Sequence, residues 1–242
     1  MTFTIMGRCK QTGAMGICTT SFSPVAGSRV PAARSRRGMA AIMSHASPPL
    51  VLYANQLFDR GCIAPYVLEE LRKNDPFPEY RQIGVIDVYG NAVADTGSKA
   101  IAWASHIVGD GFISLGNVVV SERVVSAMAE AYAAVTDQSL EQRLLAGLEA
   151  GRDAGGQPEG QTSAFILVYH PDYEYSFIDL RVDLHEEPVG ELRRIFEWYQ
   201  PLVAYYAQKG RDPRMPRYHE WARDRAGATQ FIPGTLEAMR SA

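Results

Sequence analysis

Helical segments in this chain come in pairs set between β-hairpins, and that order limits the possible folds more than any other feature. Single helices between strands build parallel crossovers, whereas paired helices between hairpins build antiparallel sheets with helical layers outside. The first segment, 2–7, alternates Phe3 and Ile5 against Thr4 and Met6, which predicts a strand. A turn at Gln11-Thr12-Gly13 leads into the apolar run 14–21, and the two close a hairpin. Residues 23–37 read as a loop holding four arginines, and 38–44 as a third strand. Two helices follow. One covers 50–60, entered through Ser47 and two prolines and stopped at Gly61; the other covers 65–73.

The alternation then repeats. Residues 81–96 read as a hairpin turning at Gly90-Asn91, and 101–120 as short strands broken by glycines. A second helix pair starts at Val124 and at the capping box of Ser139 and Gln142. Residues 151–160 read as a glycine-rich loop, 163–170 and 177–184 as strands, and 188–199 as an amphipathic helix. The pattern predicts an α+β fold, a four-layer αββα sandwich of two antiparallel sheets. It is expected to form one domain over 1–200, with 201–242 as an extension that is helical or touches another subunit.

Nearly half of the 242 residues are apolar, enough for a real core. A formal charge of -3 lacks the basic excess of a nucleic-acid binder. No apolar run approaches the ~18 residues of a membrane span, and Arg8, Lys10, Gln11 and Thr12 interrupt any signal-peptide core. A cytoplasmic location is therefore expected. Cys9, Cys18 and Cys62 form no CxxC pair and read as free thiols. Asp183 and His185 are too few for a metal site, and the 151–160 run lacks a phosphate loop's Lys-Ser/Thr ending, so neither metal nor cofactor is expected.

Several stretches carry a family resemblance: Met1-Thr2-Phe3-Thr4-Ile5, Gly13 to Ser21, Tyr80 to Asp87, Thr96-Gly97-Ser98 with Trp103, and Leu115-Gly116-Asn117. Asp179-Leu180-Arg181-Val182-Asp183, with His185, Pro188 and Glu191 to Arg194, is the most specific. In number, order and spacing they resemble the DUF1028 family of the N-terminal-nucleophile hydrolase superfamily. Where that family often has a lysine after the serine ending strand two, this chain has Phe22, and its 44–49 segment also departs from the family pattern.

The resemblance implies a nucleophile at Thr2. A threonine hydroxyl needs a base, and an N-terminal threonine brings one in its own α-amine, whose reference pKa of about 8 leaves part of it neutral near pH 7. Removal of Met1 is required. Oxyanion donors are expected where a strand ends and a helix begins, at Ser44, His45, Ala46 and Ser47, with Asn117 as a second donor and Thr96 beside the centre. Arg29 and Arg34 are loop arginines able to hold an acidic substrate group. The expected activity is hydrolysis of a small-molecule amide through an acyl-enzyme on Thr2. The alternative is a non-catalytic ligand-binding or assembly protein on the same scaffold, motivated by Phe22 and the altered 44–49 segment. Aromatic residues of the tail, Trp198, Tyr199, Tyr205 and Tyr206, point to a homo-oligomer, a dimer.

Overall fold

A computed structural model describes residues 1–223. In chain order its elements are β1 (Thr2–Arg8), β2 (Met15–Ser21), β3 (Pro31–Arg34), β4 (Gly38–Ser44), α1 (Pro48–Asp59) and α2 (Ala64–Lys73). There follow β5 (Arg81–Asp87), β6 (Ala92–Thr96), β7 (Ala104–Gly109), β8 (Phe112–Asn117), α3 (Arg123–Ala134) and α4 (Leu140–Asp153). The described chain closes with β9 (Ser163–Tyr169), β10 (Ile178–Val182), α5 (Pro188–Arg211) and α6 (Tyr218–Arg223).

The strands form two antiparallel sheets, one of six in the order β10-β9-β2-β1-β8-β7 and one of four in the order β3-β4-β5-β6. Buried Met6, Ile17, Met39, Met43, Ile86, Leu115 and Phe165 fill the space between them. Outside the smaller sheet, Ala54, Leu57 and Phe58 of α1 and Val67 and Leu71 of α2 cover Ala40, Ile42, Ile83 and Val85. Helices α3 and α4 pack on the larger sheet. This is the four-layer αββα sandwich the sequence predicts.

Strand β1 shows how the period of two sorts its residues. Phe3, Ile5 and Gly7 face the helices: Phe3 and Ile5 lie against glycines of α4, and the Tyr132 ring of α3 covers Gly7. Thr4 and Met6 face the other sheet, Thr4 reaching Met43 and Met6 reaching Gly84. Thr2 shares that inner face, at the end of the space between the sheets.

A buried side chain ties the sheets together there. Gln82 of β5 directs its Nε2 toward Thr96 Oγ1 of β6 at 2.9 Å and toward the carbonyls of Ser105 and Gly116, both at 3.0 Å, in the larger sheet.

Three sequence expectations are corrected. Residues 23–37 are not all loop, because 31–34 pair with β4 as an edge strand. Gly151 lies inside α4 rather than opening a loop: with Gly147 one turn earlier, it lets the helix settle on Phe3 and Ile5. Helix α5 does not stop at Tyr199 but runs through Pro201 to Arg211.

By compactness the chain divides into Met1–Leu192 and the residues from Arg193 onward. Within the second unit, the Tyr205 ring lies 5.4 Å from those of both Tyr218 and Trp221, and Tyr205 Oη donates to Pro216 O at 3.2 Å. That packing rewards continuation of α5 beyond its proline. The extension expected over 201–242 lies outside the described residues from 224 onward.

Candidate functional site

The hairpin of β1 and β2 builds the site's floor. Its register runs from Arg8 opposite Met15, beside the turn, out to Thr2 opposite Ser21. On its other side Thr2 pairs with Asn117 of β8. Thr2 is thus the first residue of a central strand and is buried.

Its hydroxyl lies 3.3 Å from Ser21 Oγ. Ser21 Oγ donates its own proton to Met1 O at 2.6 Å and accepts the Ser23 N–H at 3.1 Å. With that proton committed, the pair of hydroxyls is satisfied by Thr2 donating to Ser21. Burial pushes the α-amine of Met1 below its ordinary pKa, with Glu159 partly opposing the shift.

Above this floor opens a cleft of about 460 Å³. Met1, Thr2, Ser21 and the 23–30 loop line one side; Met43, Ser44, His45 and Ala46 line the other. Ser44 ends β4 in the left-handed region, with φ of 71°. A non-glycine residue held there stores of order 1 kcal/mol or more, and such strain gathers at functional sites. Just beyond it, the N–H groups of His45 and Ala46 donate to no acceptor among the described residues.

The helix entrance contributes less than the sequence suggested. Ser47 caps α1 by accepting the Leu50 N–H at 3.4 Å, and Pro48 and Pro49 carry no N–H at all. The residues that line the cleft at this junction are therefore those of the strand end, not of the helix turn.

Asn117 and Thr96 are brought close to the centre but do not line the cleft. Asn117 is fully buried, with Nδ2 donating to Gln82 Oε1 at 3.1 Å. Its Oδ1 has no partner among the described residues. Asn117 Nδ2 carries a second N–H besides the one given to Gln82, but the residue does not line the cleft. Thr96 Oγ1 sits between Gln82 Nε2 and His106 Nδ1, the latter at 2.8 Å.

Of the two loop arginines, Arg34 pairs with Asp59 at 2.8 Å, while Arg29 lines the cleft. His185 Nδ1 accepts the Glu187 N–H at 2.9 Å, a local turn ahead of α5.

Residue-by-residue reading of the sequence missed Ser21, Ser23, Met43 and, apart from Arg29, the Pro24–Val30 rim. The signal for Ser21 was present: counting outward from the Gln11-Thr12-Gly13 turn places it opposite Thr2. The rim carried no such signal, since it depends on two sheets meeting.

The model of DUF1028, described as a family of unknown function, matches residues 2–192. The chain belongs to the DUF1028 family. It is similar to the crystal structure of a DUF1028 protein, SPO2555 from Silicibacter pomeroyi, at 30% identity and a TM-score of 0.75, covering 92% of this chain and 90% of that one. It also matches Anbu, ancestral beta-subunit, from Yersinia bercovieri, at 12% identity and a TM-score of 0.42, over 85% of this chain and 97% of that one. Anbu from Hyphomicrobium gives 11%, 0.42, 89% and 99% for the same measures. No curated protein matches the sequence.

The match ends at Leu192, where the first compact unit also ends. Within the DUF1028 unit the polar side chains that line the cleft are the hydroxyls of Thr2, Ser21, Ser23 and Ser44, one arginine and one histidine. No carboxylate or lysine is among them. The bases within the cleft are the α-amine and the His45 imidazole.

Proposed function

We propose that the protein is an amide hydrolase for small molecules, with Thr2 as nucleophile after loss of Met1. The observation that carries this reading is the placement of the Thr2 hydroxyl: buried at a strand head, bonded to Ser21, and on a cleft whose far wall includes His45 and Ala46, whose N–H groups have no acceptor among the described residues.

Removal of Met1 has two consequences. It frees the Thr2 α-amine to act as general base, and it takes away the carbonyl that holds the Ser21 proton. The Thr2 hydroxyl oxygen then attacks the substrate carbonyl carbon while its proton passes to the amine, directly or through one water. The His45 and Ala46 N–H groups stabilise the oxyanion. The C–N bond breaks, the leaving amine takes the proton, and water hydrolyses the ester on Thr2 to release the acid. Each of these steps uses groups at the cleft and no cofactor.

Intact mass should show a chain lighter by one methionine, and a hydroxyl-directed acylating probe should add to Thr2. Thr2→Ala should abolish both labelling and turnover, while Thr2→Ser keeps them in reduced form. Turnover unaffected by Thr2→Ala would refute the proposal.

A second reading is a non-catalytic ligand-binding or assembly protein. Phe22 and the capped, proline-blocked entrance to α1 favour it. Retained Met1 together with an unlabelled Thr2 would support it. A homodimer and a cytoplasmic location complete the proposal. The dimer rests on the aromatic tail; no helix among the described residues is long and apolar enough to cross a membrane.

A further inference from the structure

Arg29 stands out because the cleft leaves its charge unanswered. It follows the 3-10 turn Ala26–Ser28, is half-buried, and is, among the described residues, the one arginine, lysine or carboxylate side chain lining the cleft. Its Nη2 donates to Pro24 O at 2.8 Å, which braces the guanidinium against its own loop. No ion-pair partner of Arg29 occurs among the described residues, although Arg34, Arg36 and Arg181 nearby in sequence or fold each have one. The loop that presents it is itself strained: Val25, a β-branched residue, sits at φ of 61°. Val25 is held there by its N–H to Asp183 O at 2.9 Å and by Ser28 Oγ donating to its carbonyl at 2.9 Å. A half-buried guanidinium with free N–H groups, no acid beside it and a braced loop behind it is a preorganised site for a carboxylate.

We propose that Arg29 anchors a free carboxylate of the substrate, so that the substrate class is amides bearing that group, such as N-acyl amino acids. The inference rests on the hydrolase reading for the identity of the scissile bond, but the binding site it describes exists without turnover. The cleft volume suits a ligand of this size. Fixing one end on Arg29 would hold the amide carbonyl at a set distance from Thr2, which turns loose binding into orientation.

The test uses the full-length chain carrying Thr2→Ala, so that ligands bind without being consumed. N-benzoylglycine and N-acetylphenylalanine are titrated by calorimetry against their primary carboxamides. The carboxylates should bind about 10-fold or more tightly, with a preference that weakens as salt rises. Arg29→Met should erase the preference and Arg29→Lys should retain part of it. Thermal unfolding of each variant shows whether it is folded. Equal affinity for acid and carboxamide, a preference that survives Arg29→Met, or no binding of either carboxylate would overturn the anchor. Failure of the hydrolase reading looks different: the carboxylate preference persists, while the wild-type protein shows no Thr2-dependent cleavage. Cleavage of acids and carboxamides with equal kcat/KM would instead keep the hydrolase and remove the anchor.

Discussion

At the scale of single residues, the α-amine sets the sharpest expectation. Burial lowers the Met1 amine, and the Thr2 amine that replaces it lies one residue further into the same environment. An amine whose pKa falls is neutral, and so basic, at lower pH. The kcat/KM profile should therefore rise with pH through an apparent pKa below the usual α-amine value of about 8. Glu159 raises the pKa of the Met1 amine, so in the chain that keeps Met1 Glu159→Gln should lower it further, read by titration of the amine. Thr2→Ala should lower kcat/KM by roughly 10⁴-fold or more, leaving only what the oxyanion donors supply. Tyr132 offers a test of a different kind. Its hydroxyl is buried without a partner among the described residues, and desolvation pushes its pKa up to about 12. The Arg143 guanidinium stacks 4.1 Å from the ring centre, a contact phenylalanine would keep. Tyr132→Phe should then raise stability by about 1 kcal/mol in urea unfolding, because it removes an unsatisfied polar group and little else.

Elements position the site through close packing and one polar tie. Helix α4 lies near β1 because Gly147 and Gly151 present no side chain to Ile5 and Phe3. Each glycine costs about 1 kcal/mol of helix propensity relative to alanine. A Cβ on Gly151 would meet Met128 Cγ at 2.7 Å. Gly151→Val should destabilise by about 1–3 kcal/mol, seen as a lower urea midpoint, since overpacking moves α4 off the strand that carries Thr2. Gln82 is the converse case, a buried polar group with every atom used. Gln82→Leu strands the carbonyls of Ser105 and Gly116 and the Asn117 amide. A loss of about 2–4 kcal/mol is expected, larger than for any surface polar change. The periodicity of β1 and the turn before β2 made the hairpin, and with it the Thr2–Ser21 pairing, readable in advance. Nothing in the sequence around Gln82 announced the tie, because its partners are 14 to 35 residues away and come from three other strands.

For the whole molecule, the aromatic tail carries the expectation of self-association. Tyr206 stacks on Tyr199 yet remains 52% exposed, among the larger apolar side chains left open to water. Sedimentation should report twice the 26.7 kDa of the chain, and Tyr206→Glu should shift it toward the monomer.

The layered architecture was legible because it follows from local order. Strand alternation, turn residues and helix caps such as Ser47 and Ser139 act within a few residues of one another, and their succession allows few ways to stack the elements. Thr2 was likewise visible, as a residue type at a strand head. The assembly of the cleft was not. Choosing Arg29 over Arg34, His45 and Ala46 over the proline-blocked turn of α1, and a buried tie to Gln82 over a place on the cleft for Asn117 all required two sheets to be brought face to face. Those outcomes depend on which atoms remain unpaired after long-range contacts form, and pairing across distant segments leaves no periodic trace along the chain.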